Sequence, residues 1–300
     1  MAMLALVGPT ASGKSDAALA IAPALGAEIV SVDSMLVYRG MDVGTGKPTA
    51  EQRAAVPHHL VDLAEPSERF TVARYQELAR STLRSVARPL LVGGSGLYLR
   101  AVVDDLAFPP EDPAVRASLE AEADDLGAEV LYRRLADMDP VAAARIEPGN
   151  VRRIIRALEV TAISGAPFSS FASAWDRYDA DRVRAAGIRI GREAHTIRIG
   201  ERVFAMLRNG WLEEVRGLMD RGFGAWLTAS QAIGYAELAD HLDGRLSLDE
   251  AAERTVKRTK ELARRQMAWF RRDPRIRWFD AGAGGASEVA DDVCAYLGSA

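Results

Sequence analysis

Residues 8–15 read Gly-Pro-Thr-Ala-Ser-Gly-Lys-Ser (GPTASGKS), and this stretch decides the fold class of the chain. It matches the pattern G-x-x-x-x-G-K-[S/T] without a mismatch. The apolar run Leu4–Val7 before it is typical of a buried strand, and residues 14–25 after it have apolar side chains at helical spacing. A turn between a buried strand and a helix is the setting that this phosphate-binding motif requires.

The residue types of this loop suit a phosphate group. Glycines let successive backbone N–H groups converge on phosphate oxygens, and the following helix adds a partial positive charge. The Lys14 side chain supplies a cation, and the Ser15 hydroxyl can ligate Mg²⁺. The motif does not specify the phosphorylated ligand, and ATP is one candidate. We expect the ligand to contact Gly8, Thr10, Ala11, Ser12, Gly13, Lys14 and Ser15.

Strand and helix patterns alternate through the first 107 residues. Helical spacing is found in 14–25, in 72–86 and from 97 onward. Strand patterns lie between these helices, so we expect an α/β fold with a parallel sheet flanked by helices, like that of P-loop NTPases. The predicted strands are 4–7, 28–32, 60–63 and 89–92.

A proline-rich break at Phe108-Pro109-Pro110 separates this part from a nearly all-helical stretch, 114–164. Strand and helix patterns return afterwards. We therefore predict a catalytic core of residues 1–107 and 187–300 with an inserted all-helical domain of residues 108–186. The elements predicted after the insert are strands at 187–190 and 276–279, and helices at 193–209, 211–221, 234–242 and 247–270.

The 300-residue chain has a net charge of −4, so any surface that binds nucleic acid must be local. Residues 254–277 hold ten basic side chains against Glu261 and Asp273, a local charge of about +8. A second cluster on one predicted helix comprises Arg145, Arg152, Arg153 and Arg156. Each cluster could be a solvated helix face, but two of them in an acidic chain favour contact with an RNA backbone.

Cys294 is the one cysteine in the sequence, which excludes an internal disulfide framework and fits a reducing, cytoplasmic compartment. No apolar run approaches the length of a membrane span. We expect a cytoplasmic monomer with no membrane partner.

Asp33 follows the second predicted strand. Carboxyl ends of parallel strands face the ligand crevice, so this carboxylate should lie near the phosphate loop. It could accept a proton from a nucleophile or bind Mg²⁺. It could also cap a turn or the next segment.

Several further stretches, taken together and in order, resemble the bacterial tRNA dimethylallyltransferases. The resemblance extends from residue 4 to about residue 272, and the combination is far more specific than the phosphate loop alone. Besides GPTASGKS, it rests on DSMLVYRGMDVGTGKP (33–48), PHHLVD (57–62), GGSGLY (93–98), DPVAAARIEPGNVRRIIRALEV (139–160), RVFAMLRNGWLEEV (202–215), AIGYAE (232–237) and RRQMAWF (264–270).

The resemblance implies a role for each matching residue. It implies that Asp33 is the general base that takes a proton from the exocyclic N6 amine of the adenosine immediately 3′ of the anticodon. It implies that residues 10–15 hold the diphosphate of dimethylallyl diphosphate, with Ser15 helping to hold Mg²⁺. It implies that Arg202 neutralises the departing diphosphate. The product would be N6-isopentenyladenosine.

The resemblance also implies that the helical insert grips the tRNA anticodon stem-loop. Ser15 and Ser95 stand where many relatives have Thr, and Leu36 stands where many have Gln, which puts one polar contact to the base in question. The tRNA-contacting positions implied are Asp33, Ser34, Met35, Leu36, Ser95, Arg152, Arg153, Ile154, Ile155 and Arg156.

Three other functions share part of this pattern. A small-molecule P-loop kinase would have the same loop and sheet, would transfer the γ-phosphoryl group of ATP and would not need the basic clusters. A non-catalytic RNA-binding P-loop protein would leave Asp33 and Arg202 without roles. An enzyme that prenylates free adenine nucleotide is chemically close to the tRNA enzyme.

Overall fold

A six-stranded, wholly parallel sheet runs through the computed structural model, which describes residues 2–174 and 177–299. Met1, Trp175, Asp176 and Ala300 lie outside the described residues. The strands follow the order β3-β2-β4-β1-β5-β6 across the sheet. They are β1 (Met3–Val7), β2 (Glu28–Ser31), β3 (His58–His59), β4 (Pro89–Gly93), β5 (Val183–Ile190) and β6 (Ile276–Ala281).

The helices surround this sheet or belong to the segment between β4 and β5. They are α1 (Lys14–Leu25), α2 (Ala50–Ala55), α3 (Val72–Ser85), α4 (Gly96–Val103), α5 (Pro113–Leu126), α6 (Ala128–Met138), α7 (Pro140–Ala143), α8 (Val151–Ser164), α9 (Arg192–Arg208), α10 (Trp211–Met219), α11 (Tyr235–Leu242), α12 (Leu248–Phe270) and α13 (Ala290–Gly298). Short 3₁₀ turns lie at Phe168–Ala174, Ala229–Gln231 and Gly285–Val289.

Strand β1 is the centre of the sheet because almost all of its side chains are apolar and both of its edges are paired. Its alternate side chains enter two separate cores, as expected for a parallel sheet covered on both faces. Leu4 and Leu6 pack with α1 on one face, whereas Ala5 and Val7 face the core that contains Tyr75. The carboxyl ends of β1, β2 and β4 therefore meet at one edge, directly before Gly8, Asp33 and Gly94.

Two of the predicted strands differ from the observed ones. The third strand is His58–His59 rather than 60–63, because Leu60 and Asp62 have φ angles of 62° and 57°, which an extended strand does not permit. The fifth strand begins at Val183, four residues before the predicted start, and Val183–Gly187 pair with Met3–Val7.

The chain forms two compact units. One contains the sheet and consists of the residues up to Asp105 and from Tyr178 onward; the other is the helical unit, Leu106–Arg177. The predicted insert, 108–186, is thus too long at its end, because β5 belongs to the sheet.

The helical unit has its own apolar core, to which Leu131, Leu135, Ile154 and Leu158 contribute. Its buried Glu159 carboxylate accepts hydrogen bonds from Arg116 and Arg156, which compensates for the burial of its charge. Across residues 2–174 and 177–299, the helices are too short or too polar for a membrane crossing.

Candidate active site

The phosphate loop occupies residues 8–13 between the end of β1 and the start of α1. Its tight course depends on two residues with positive φ angles, Ala11 at 60° and Gly13 at 80°. A Cβ atom at Gly13 would lie 3.1 Å from the backbone nitrogen of Ala286, so the position is both conformationally and sterically restricted to glycine. The loop brings the first turn of α1, with Lys14 and Ser15, to the carboxyl edge of the sheet.

Side chains from two distant helices hold the loop through its backbone. The Thr10 N–H donates to Gln266 Oε1 of α12 at 2.8 Å, and the Thr10 carbonyl is 2.8 Å from His195 Nε2 of α9. Arg198 Nε, also on α9, donates to the Ala11 carbonyl at 3.0 Å. These contacts link the loop to helices that are more than 180 residues away in the sequence.

Lys14, Asp33 and Arg202 form one electrostatic group. Burial lowers the pKa of Lys14 to about 8; the Asp33 carboxylate raises this pKa and Arg202 lowers it further. Burial also lowers the pKa of Arg202 from its usual value, opposed by Asp33 and then by Asp16. Lys14 and Arg202 are thus two crowded cations whose charged forms are disfavoured by burial, and an anionic ligand would stabilise both charges.

Asp33 follows β2 and combines two of the roles considered for it. Its Oδ1 accepts the backbone N–H of Met35 at 2.8 Å, so the side chain does cap a turn. In the described part of the chain, no group donates a hydrogen bond to its second oxygen, Oδ2. That oxygen is therefore available to accept a proton from a ligand.

Arg202 lies on α9, and its Nη2 donates to the Thr45 carbonyl at 3.5 Å. The neighbouring Gly46 has a φ of 67°, and a Cβ there would lie only 2.2 Å from Arg202 Nη2. The guanidinium thus rests directly on the backbone of the loop that joins β2 to α2.

Lys47 of the same loop is directed into the protein. Its Nζ is buried and donates to the Tyr38 carbonyl at 2.6 Å and to the carboxylates of Asp42 and Asp62. Three acceptors satisfy the three protons of its ammonium. Lys47 therefore holds the loop in place.

Glu214 of α10 fixes the same loop; it lies in the 202–215 stretch, but no role was predicted for it from the sequence. Its carboxylate accepts the backbone N–H groups of Asp42 and Val43, both at 2.7 Å, and that of Gly44 at 3.1 Å. The Tyr235 hydroxyl donates to the same carboxylate at 2.6 Å. A single, partly buried carboxylate therefore orders three consecutive residues beside Arg202.

Lys14, Asp33, Lys47 and Arg202 line one cleft of about 540 Å³ in the sheet-containing unit. Its walls come from the phosphate loop, the Asp33 turn, the Gly44–Thr49 loop and side chains of α9 and α12. Of the predicted site residues in this unit, the lining includes Thr10, Ala11, Gly13, Lys14, Ser15, Asp33, Ser34, Met35, Leu36 and Arg202.

Three predicted contacts lie outside that lining. Ser12 is fully buried, and its hydroxyl has no partner in the described structure, so a direct contact between that side chain and a ligand is excluded here. Gly8 lies where β1 turns into the loop. The Ser95 N–H donates to the Val32 carbonyl at 3.3 Å, which places Ser95 next to Asp33 rather than at the cleft wall.

Helix α12 carries most of the first basic cluster, and its cleft-facing side consists of Arg258, Thr259, Leu262, Arg265 and Gln266. Arg258 forms an ion pair with Glu237. Arg275 belongs to the cluster by sequence only, because its side chain is 3% exposed and ion-paired with Asp104 and Asp273.

Trp269 and Phe270, at the end of α12, have different surroundings. Phe270 is buried, whereas Trp269 is 40% exposed and lies against Gly96 at the start of α4.

The second basic cluster belongs to the helical unit, where α8 begins after the capping residue Asn150. Arg152 and Arg153 are exposed, but Ile154 and Ile155 are buried in the core of this unit. The side chains of Ile154 and Ile155 cannot reach a ligand, because they point into the core of the helical unit. Arg156 donates to Glu159 and to the carbonyls of Pro109 and Pro110, so it holds the start of the unit.

Comparisons with known proteins agree over nearly the full length. Residues 36–273 match the family described as IPP transferase, and residues 1–59 match Isopentenyl transferase. The chain is 44% identical over 301 residues to a tRNA dimethylallyltransferase of Desulforudis audaxviator, covering 97% of each protein. It is 48% identical over 292 residues to that of Kineococcus radiotolerans, covering 94% of this chain and 92% of the relative.

Among solved structures, the chain is similar to the full-length tRNA isopentenylpyrophosphate transferase of Bacillus halodurans, with a TM-score of 0.71 and 37% sequence identity. The match covers 99% of this chain and 96% of that structure. The resemblance seen in the short motifs therefore extends to the whole fold.

Proposed function

This chain belongs to the IPP transferase family, and from that premise we propose that its cleft transfers a dimethylallyl group from dimethylallyl diphosphate to an adenosine of tRNA. One observation carries the proposal: a phosphate loop, a carboxylate with an available oxygen and a crowded arginine line the same cleft. The acceptor atom is the exocyclic N6 of the adenosine immediately 3′ of the anticodon.

The donor's diphosphate binds at the phosphate loop. Backbone N–H groups of residues 11 and 13–15 and the positive end of α1 would face its oxygens, and Lys14 adds a charge. The Thr10 N–H is already bonded to Gln266 and the Ser12 N–H to the Pro9 carbonyl, so these two residues contribute through their position in the loop instead. The crowded cations Lys14 and Arg202 are the electrostatic match to this ligand.

In the transfer step, a bond forms between the amine nitrogen and C1 of the dimethylallyl group while the bond from C1 to the diphosphate oxygen breaks. The bonding electrons of the broken bond leave with the diphosphate, and Arg202 and Lys14 stabilise that growing negative charge. Asp33 Oδ2 takes the proton that the amine nitrogen releases. Atoms and charge balance without any further reactant.

Mg²⁺ fits this site only as an ion shared with the diphosphate. The residues that the structure describes contain no group of three or more His, Cys, Asp or Glu side chains suited to a metal ion. The exposed Ser15 hydroxyl, in the first turn of α1, would supply one protein ligand, and diphosphate oxygens and water would supply the others. When bound, the ion would neutralise diphosphate charge.

The RNA is an anticodon stem-loop. Arg152 and Arg153 of the helical unit and the exposed basic residues of α12 would contact its phosphates. Its target base must leave the stack to reach Asp33, so Ser34, Met35 and Leu36 would contact an extruded base and Ser95 would lie beside it. We propose that one copy of the chain suffices, because the cleft is lined within one unit.

The decisive experiment is mass analysis of tRNA after incubation with the protein, dimethylallyl diphosphate and Mg²⁺. We expect one adenosine beside the anticodon to gain the mass of a dimethylallyl group in place of hydrogen. Parallel reactions contain AMP in place of tRNA, or ATP in place of the donor. Prenylation of AMP but not of tRNA, or release of a γ-phosphoryl group to a small acceptor, would replace the proposed function by a rival.

A further inference from the structure

Gln266 of α12 bridges the basic helix and the phosphate loop across 256 residues of sequence. Its Oε1 accepts the Thr10 N–H at 2.8 Å. The amide lies so close to β4 that a Cβ at Gly94 would be 2.4 Å from Gln266 Nε2. A side chain confined on one side by backbone and bonded on the other has little freedom to turn away.

The backbone of Thr10 is thereby held at both of its polar atoms, the N–H and the carbonyl oxygen. Gln266 takes its N–H, and His195 Nε2, on α9, bonds its carbonyl at 2.8 Å. Any shift of α12 relative to the sheet must therefore alter Thr10, the residue that opens the anion-binding turn. Because phosphate loops bind through the direction of their N–H groups, such an alteration changes affinity for the anion.

Gln266 directly follows Arg265 on the cleft-facing side of α12. This helix is a single, uninterrupted 23-residue element whose N-terminus is closed by a capping box at Ser247 and Glu250. An RNA phosphate held by Arg265 would fix the helix, and Gln266 would carry that restraint to the loop.

We propose that Gln266 is a positioning residue that couples RNA binding on α12 to diphosphate binding at the phosphate loop. This inference rests on the proposed function, since it requires both ligands in one cleft. By linkage, RNA raises the affinity for diphosphate by the factor by which diphosphate raises the affinity for RNA. Couplings of this kind are typically about 5–150-fold.

The test measures the dissociation constant of inorganic diphosphate with Mg²⁺ by calorimetry, with and without an anticodon stem-loop RNA, on the full chain. Wild-type protein should show at least a roughly fivefold ratio between the two constants. In Gln266→Met, which keeps the length of the side chain but not its acceptor, the ratio should fall to about one. Gln266→Asn, which is too short to reach Thr10, should behave in the same way and serves if the Met variant does not fold.

Two further variants separate this role from mere stability. Gln266→Glu keeps an acceptor for Thr10, so it should retain the ratio even if its charge weakens diphosphate binding in general. Glu253→Gln changes an exposed side chain of the same helix and should match wild type.

The inference would be overturned by a ratio of one in the wild-type protein, or by an unchanged ratio in both Gln266→Met and Gln266→Asn. Prenyl transfer by the wild-type protein, measured separately, tells whether the proposed function itself has failed. Wild-type transfer together with an unchanged ratio would remove only the role of Gln266.

Discussion

At the scale of single residues, Asp33 carries the proposed proton transfer. The Asp33→Asn variant keeps an oxygen for the Met35 N–H, so the turn should persist, but the amide cannot accept the proton. We expect turnover to fall roughly 10²-fold or more, and Asp33→Ala to lose at least as much. Single-turnover prenylation measures this loss. Asp181→Asn, on an exposed loop before β5, is the matched control, and a near-normal rate in Asp33→Asn would remove the base from Asp33.

Arg202 should act mainly as the C–O bond breaks. Replacing it with Ala removes charge stabilisation from the leaving diphosphate, so we expect turnover to fall roughly 10²-fold or more, with a smaller change in the KM of the donor. Arg208→Ala, an exposed arginine on the same helix, supplies the comparison. A raised donor KM with an unchanged kcat would indicate ground-state binding instead.

Lys14 makes diphosphate binding depend on pH. Because burial lowers its pKa to about 8, its ammonium loses the proton as the pH rises through that value, and we expect affinity for inorganic diphosphate to decline there. Lys14→Met should abolish this part of the pH dependence, as measured by calorimetry on both sides of pH 8. A decline of the same size in the variant would assign it to the ligand alone.

The lowered pKa of Lys14 also affects the stability of the fold, and this contribution changes with pH in the opposite direction to the affinity for diphosphate. The unfolded chain retains the Lys14 proton up to a pKa of 10.5, whereas the folded protein releases it near 8. The unfolded state therefore binds more protons between these values, so the contribution of this group to the free energy of unfolding rises with pH across that window.

At the scale of elements, the loop between β2 and α2 must approach Arg202 without a side chain. Gly46→Ala would introduce backbone strain at a φ of 67° and a clash between the added Cβ atom and the Arg202 guanidinium. Gly40→Ala would introduce similar strain at a φ of 71°, but the atom nearest to its Cβ is 3.5 Å away, on Arg221. We expect each variant to lose about 1–2 kcal/mol of stability. Only Gly46→Ala should also lower turnover. Denaturant unfolding and prenylation assays on both variants test this difference.

Equal turnover in the two glycine variants would mean that the position of Arg202 does not depend on this loop. The comparison is informative because backbone strain is common to both sites, and contact with the guanidinium is not.

At the scale of the whole molecule, the helical unit should add RNA affinity through its exposed arginines. Replacing Arg152 and Arg153 together with Ala should weaken binding of the stem-loop and reduce the slope of log affinity against log salt by up to about 2, as for two lost phosphate contacts. Diphosphate binding should be unchanged. The exposed Arg133→Ala on α6 is the control, and an unchanged salt slope would place the RNA contact elsewhere.

The sequence on its own determined the phosphate loop, the parallel sheet, the separation of the helical insert and the position of Asp33. These features depend on local rules: a glycine-rich turn has few alternative conformations, and a wholly apolar run of strand length can only be buried. Short elements were less predictable, as the displacement of the third strand by two residues with positive φ shows.

The tertiary structure alone decided which distant groups share the cleft. The motif stretches include Gln266 and Glu214, but no local pattern gives these residues or His195 a partner; the packing of α12, α9 and α10 near the carboxyl edge of the sheet does so. Packing likewise turned Lys47 inward and Trp269 outward. Side-chain roles of this kind follow from contacts between segments far apart in the chain, which a local pattern of residues does not encode.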